Sequence, residues 1–216
     1  MLAKFYEDIL DKKGSEILAF DARIITVDDQ SHIIEMGLSD LRGESVFHSL
    51  VRPSAQIPRD FFGGELLGID KHSLAAAPAL HQLRDQFVSA AKGKVLIGYC
   101  TSRARKSMGV AGYPLWLCQH FLDIRDEFSR YMNDFDEKTG RLRRFSLTMA
   151  AMFFEGYEPR PLRDAYVDPS TAKWFPLRWD YGYGSIYRCR QVITVARGLA
   201  ATTLGRNGYR MCAGIR

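Results

Sequence analysis

Two kinds of residue in this 216-residue chain have chemistry available to them. The first is a carboxylate: the apolar run Ile17 to Phe20 leads straight into Asp21. A charged carboxylate on a buried strand is costly unless it meets a metal, a cation or hydrogen-bond donors, so Asp21 requires a partner. The second kind is cationic. Arg103, Arg105 and Lys106 cluster where a helix is expected to begin, and helix N-termini favour anions. Phosphate contact and a solvated helix face are both open there. Beyond Asp180 come six arginines, Arg188, Arg190, Arg197, Arg206, Arg210 and Arg216, with no lysine and no acid. The net charge of +5 therefore sits in the tail, on a body close to neutral. That is the footprint of a phosphate-bearing or acidic partner, or of a merely solvated end. Tyr181, Tyr183 and Tyr187, beside these arginines, are of a type that stacks on bases or anchors a protein interface.

Composition narrows the class. With 46% hydrophobic residues the chain has material for one core of ordinary size. It contains no apolar run of membrane-spanning length and no secretory signal pattern, so no membrane partner is expected. Cys100, Cys118, Cys189 and Cys212 are scattered without a C-x-x-C pair, which fits reduced thiols in a cytoplasmic protein and argues against a zinc site.

The elements that must position Asp21 can be read in order. Residues 1–14 place Leu2, Phe5, Tyr6, Ile9 and Leu10 on one helical face, ending at Gly14. Residues 17–37 read as two antiparallel strands around a polar turn, Asp28-Asp29-Gln30-Ser31. Ser45 to Val51, containing His48, is a third strand, ended by Pro53 and Pro58. The spacing predicts a helix over 75–91, a strand over 94–98, a strongly periodic segment over 113–130 with Leu115, Leu117, Phe121, Ile124 and Phe128 among its core candidates, a polar turn over 132–140 and a helix over 146–154 with Ser146 as its N-cap. Tyr181 to Gly184 reads as a linker, followed by helical spacing at Ile186, Cys189, Ile193 and Ala196. Alternating strands and helices indicate an α/β layered domain.

Phe20-Asp21 followed by Ile33-Ile34-Glu35-Met36-Gly37 resembles the opening of the DnaQ-like (DEDD) 3′–5′ exonucleases, F-D-x-E-T-T-G and then I-I-E-I-G. Further segments are similar in type and order. Phe47 to Pro53 resembles F-x-x-L-V-x-P, Gly98 to Ala104 stands at G-H-N-x-x-F-D, Ser146 to Ala151 at S-L-x-x-L-A, and Glu158 to Ala165 at A-H-R-A-L-x-D-A. The resemblance spans roughly residues 17 to 180. It implies a ribonuclease H-like mixed sheet of about five strands flanked by helices, with 172–180 finishing the last helix. The implied division is an N-terminal helix (1–16), an exonuclease-like domain (17–180) and a basic C-terminal extension (181–216).

The family's reaction uses two divalent cations on four carboxylates. Carried over residue by residue, Asp21 and Asp164 are kept. Arg23 and Ala104 replace the other two ligands, and Pro159 replaces the general-base histidine. The histidine of the family's H-G-I-T turn is also missing at Leu66-Leu67-Gly68-Ile69. Asp123 stands where the family often carries an acid. A guanidinium at Arg23 places permanent positive charge where a cation would sit, and between Asp21 and Asp164 it would neutralise both. The expectation is a catalytically impaired protein with no cofactor, taking magnesium or manganese at Asp21 and Asp164 only if active. It would bind nucleic acid through Arg103, Arg105, Lys106, Arg188 and Arg190, with Arg141, Arg143 and Arg144 as further cations, or regulate a nucleic-acid-processing partner. Two alternatives stand beside it. One is an active exonuclease with an atypical site drawing on Asp28, Asp29, Glu35 or Asp168. The other is a protein–protein interaction module.

Overall fold

The apolar run that delivers Asp21 forms β1 (Ile17–Val27), which turns back at once into β2 (Gln30–Ser39). Two residues make the turn, Asp28 (φ 48°) and Asp29 (φ 61°), both in the left-handed region that a tight hairpin matched to strand twist demands. Aspartate tolerates that region better than most side chains. The computed structural model describes residues 7, 9, 16–57, 69, 71–155, 166–168, 173–175 and 184–203.

β3 (Ser45–Leu50) completes a meander. The chain then passes through α1 (Lys71–Ala76), a 3-10 turn (Leu80–Leu83) and α2 (Arg84–Ala91) to β4 (Val95–Gly98). α3 (Ser102–Val110), a second 3-10 turn (Leu115–Leu117), β5 (His120–Asp123), α4 (Arg125–Met132) and α5 (Leu147–Glu155) follow. The described chain ends with β6 (Tyr166–Asp168), β7 (Lys173–Phe175) and α6 (Ser185–Thr203). The main sheet has five strands in the order β3-β2-β1-β4-β5; β1 runs antiparallel to β2 and parallel to β4, and β4 parallel to β5. β6 and β7 pair separately.

Side chains alternate across β1 and so divide the interior in two. Ile17 and Ala19 join Ile97, Phe128, Ala150, Phe154 and the α6 residues Cys189, Val192, Ile193 and Ala196 on one face. Leu18 and Phe20 join Met36, Phe47, Phe87, Ala104 and Met108 on the other, where Phe20 and Phe87 meet edge-on at 6.1 Å. Of the expected N-terminal helix, Glu7 and Ile9 are described; both are helical, and Ile9 is buried in the α6-side core.

Three expectations are corrected. The helix over 75–91 is interrupted, because Pro78 cannot continue a helix and the chain bends there to let Arg52 N–H donate to Pro78 O at 2.9 Å. The periodic segment 113–130 is no single helix. Its 120–123 part pairs the open edge of β4, a short strand whose apolar run looks like a helix turn by periodicity alone. Residues 173–175, expected in a closing helix, are a strand pairing with 166–168; Tyr, Val, Trp and Phe favour that state. Ser146 does cap α5, its hydroxyl accepting from Met149 N–H at 3.2 Å.

The described part of the basic extension, 184–203, is not a solvated tail. α6 buries Cys189, Val192, Val195 and Ala200 completely, and lies against β1, β2 and α5. Two glycines permit this approach. A Cβ on Gly37 of β2 would meet Ser185 Oγ at 2.6 Å, and one on Gly198 would collide with the Phe154 ring.

Candidate functional site

Asp21 and Arg23 share the face of β1 that α6 covers. Asp21 is 4% exposed, and its Oδ2 accepts from Arg188 Nε, on the first turns of α6, at 2.9 Å. Arg23 lies directly opposite Glu35 of β2, with the guanidinium 3.5 Å from Glu35 Oε2. Glu35 is 3% exposed and is the hub of the cluster. Its Oε1 lies 2.8 Å from His48 Nε2 on β3 and accepts the Ser185 backbone N–H at 2.9 Å, so one carboxylate ties β1, β2 and β3 to the start of α6. An acid at that place also suits the partial positive charge of a helix N-terminus. Gly184 leaves the room: a Cβ there would collide with Glu35 Oε1.

The titration behaviour follows from these contacts. Burial pushes the Asp21 pKa up, and the charge and hydrogen bond of Arg188 offset only part of that. Burial opposes the Glu35 charge as well, but the His48 hydrogen bond, the Ser185 amide and Arg23 outweigh it and hold Glu35 below its ordinary value. The same hydrogen bond raises His48.

This arrangement differs from the expected one. The cation hydrogen-bonded to Asp21 is Arg188, while Arg23 lies opposite Glu35 in the strand register and pairs with it; the expected place of Arg23 between Asp21 and Asp164 falls outside the described residues. Asp164 and Pro159 lie outside the described residues, as does the side chain of Asp168. Ala104 is buried on the opposite face beside Phe20 and Met108. Asp123 caps the turn between β4 and α3: it accepts from the Cys100 and Thr101 backbone N–H groups at 2.9 and 2.6 Å, and from Arg125 N–H at 3.1 Å. Cys100 there adopts φ 60°.

The expected nucleic-acid contacts divide. Arg188 is committed to Asp21, and Arg190 Nε donates to Gly43 O at 3.0 Å. Arg197 donates to Leu41 O, so these α6 arginines latch the β2–β3 turn. Arg103, Arg105 and Lys106 are exposed on α3, with the Arg105 guanidinium 5.2 Å from the centre of the Phe121 ring. Sequence reading missed Glu35 as a hub. Its signal was an acid in the second strand on the Asp21 face.

The described residues around Asp21 do not fit a divalent cation. Among the described residues, two guanidinium groups already face the two buried carboxylates, so a metal would add charge to a desolvated site whose acids are already paired. No group of three or more His, Cys, Asp or Glu suited to a metal occurs among the described residues. No described helix is long and apolar enough to cross a membrane.

No protein-family model matches the chain, and no curated protein matches it in sequence. Solved structures do match. The catalytic unit of Neurospora crassa Pan2, with protease and nuclease domains, superposes with TM-score 0.52 at 9% identity over 89% of this chain and 28% of that one. A 3′-exonuclease described in 3′-end-specific recognition of a histone mRNA stem-loop gives 0.51 at 15% identity, over 90% and 65%. The zinc-bound E. coli ExoI complex with single-stranded DNA gives 0.51 at 12%, over 88% and 41%. The chain spans less than two thirds of the length of each of these three. At such identities the likeness is one of fold, and the fold of this chain is the ribonuclease H-like fold of the DnaQ-like 3′–5′ exonucleases.

Proposed function

We propose that the chain is a catalytically impaired exonuclease-like protein that binds nucleic acid or regulates a nucleic-acid-processing partner. One observation carries the reading: the buried carboxylate that the family would give to a metal is held by Arg188, while Arg23 and His48 hold the neighbouring Glu35. A guanidinium cannot be deprotonated near neutral pH and cannot activate a water as a metal does. Arg188 on Asp21 and the Ser185 amide on Glu35 instead tie the last described helix to the sheet.

The test is degradation of labelled single-stranded DNA and RNA with magnesium or manganese, the Asp21→Ala protein serving as control. The expected result is no cleavage by either protein, with the parent still retarding the strand in a gel. Cleavage by the parent that vanishes in Asp21→Ala would establish an active exonuclease with an atypical site, in which Glu35 is a described additional acid on the Asp21 face.

A further inference from the structure

We propose that the groove between α3, the β1–β2 turn and the segment following β3 binds a nucleoside phosphate, as a free nucleotide or as one unit of a single strand. The groove encloses about 880 Å³, within the size range of small-molecule sites. Its chemistry has two parts. Leu80, Val110 and Ala111 offer apolar surface, with Val110 86% exposed and available to the flat face of a base. Around them stand Arg52, Arg103 and Lys106, and Asp29 is the one carboxylate among the described lining residues. Arg103 and Lys106 have no ion pair or hydrogen-bonding side-chain partner among the described residues, so their charge is available to a ligand. His32 lines the same groove, its Nδ1 3.4 Å from Ser54 Oγ.

Position separates this groove from the Asp21 cluster. α3 packs through Ala104 and Met108 on the Phe20 face of the sheet, whereas Asp21 and Glu35 face α6. A second basic hollow, about 590 Å³ between α4 and residues 136–144, is the weaker candidate. Asp126 and Asp136 line it, and two of its arginines are paired, Arg143 with Asp134 and Arg130 with Glu127. Its remaining arginines, Arg141 and Arg144, serve as a control.

The strand form of the proposal rests on the nucleic-acid reading above; the free-nucleotide form does not. The experiment measures anisotropy of a labelled oligothymidylate of about six nucleotides on the full chain and, separately, binding of thymidine monophosphate by calorimetry. Arg103→Ala/Lys106→Ala is expected to weaken binding roughly tenfold or more, and to lower the slope of log affinity against log salt by about two. Arg141→Ala/Arg144→Ala is expected to bind as the parent does. If the parent binds the strand and the groove variant binds equally well, the groove is excluded and the broader nucleic-acid reading stands. Thymidine monophosphate bound without the strand, and lost in the groove variant, would keep the groove and remove the strand reading. Equal losses in both variants mean diffuse charge attraction and overturn the groove; binding of neither ligand by the parent overturns both.

Discussion

On the α6 side of the sheet, Arg188 and Arg23 turn their charge inward onto buried carboxylates, whereas on the α3 side Arg103 and Lys106 turn theirs outward into a groove. In the sequence, Arg23 stands at a family ligand position, Arg103 and Lys106 at the start of an expected helix, and Arg188 in the basic extension, and nothing local tells which of these cations turn inward. What separates them is which side of β1 their element covers. α6 packs over Asp21 and Glu35, whose desolvated charges need counter-charges. α3 packs over Phe20 and Phe87, which need none, so its cations stay on the solvent side. A count of arginines in a segment therefore measures the demand of the core beneath it as much as the demand of a partner.

The largest effect comes from breaking the inward pair. Arg188→Met leaves Asp21 buried without its cation, and removing one partner of a buried pair costs on the order of 3–5 kcal/mol. Urea denaturation should show this as a lower midpoint with unchanged slope. Adding Asp21→Asn should restore much of the loss, because the uncompensated charge disappears. A double variant as unstable as the sum of both singles would show that packing, not charge, dominates the contact.

Next come two glycines, one on each side. A Cβ at Gly198 would run into the Phe154 ring, whereas at Gly109 in α3 nothing lies within 4 Å. Gly198→Ala should destabilise by about 1–3 kcal/mol through overpacking, despite its gain in helix propensity. Gly109→Ala should stabilise by about 0.4–1 kcal/mol, chiefly by restricting the unfolded chain. Thermal unfolding of the two variants should thus shift in opposite directions; shifts of the same sign would mean that α6 does not approach α5 so closely.

How far this contrast was legible can be judged from β1. The hairpin was readable, because apolar runs flank two aspartates. Its register was not. A two-residue turn at Asp28-Asp29 pairs residues whose numbers sum to a constant, which would put Arg23 opposite Ile34. The register instead shifts between Arg23 and Ile24 and brings Arg23 opposite Glu35. One irregular residue, unsignalled by any Gly or Pro, decides the partner of that guanidinium. Arg188 meets Asp21 across 167 residues of chain, a pairing that no local pattern encodes. The helical spacing at 186–196 was visible, but the arginines between the apolar positions read as nucleic-acid contacts or a solvated tail rather than as partners of buried acids. Conversely, Pro78 was in plain view and breaks the helix as proline chemistry requires. Asp164, the family's remaining ligand by resemblance, falls outside the described residues.

A smaller effect concerns pH. Glu35 is held below its ordinary 4.5, so its contribution to stability is present above that value and is lost as pH falls through the depressed folded pKa. His48 is raised above 6.5, so its contribution is full below 6.5 and is lost as pH climbs through the raised value. The pair thus adds most between those limits. Asp21 acts in the opposite sense: its raised pKa favours the folded state most at low pH and less as it ionises. The stability of the parent minus that of His48→Asn isolates the pair, and should fall as pH rises above 6.5. Because the His48 side chain is 43% exposed, the change should be less than about 1 kcal/mol. An NMR titration of the imidazole gives the same answer directly: Glu35→Gln should bring the His48 pKa down.

The smallest expected effect is the sharpest test of the contrast. Arg103→Ala/Lys106→Ala removes two cations, more charge than Arg188→Met, yet it should change stability by no more than about 0.5 kcal/mol. Both side chains are exposed, neither sits opposite a buried acid, and alanine is a better helix former than either. Lower ionic strength should not enlarge the difference, since neither buried carboxylate of the described cluster, Asp21 or Glu35, depends on these charges. If urea denaturation instead showed a loss comparable to that of Arg188→Met, the α3 cations would be part of the folded core's electrostatics. The inward and outward arginines would then be one system, with no charge left over for a ligand in the groove. Equal stability with unequal effects on nucleotide binding would leave the two faces as separate devices, one holding the fold closed and the other facing a partner.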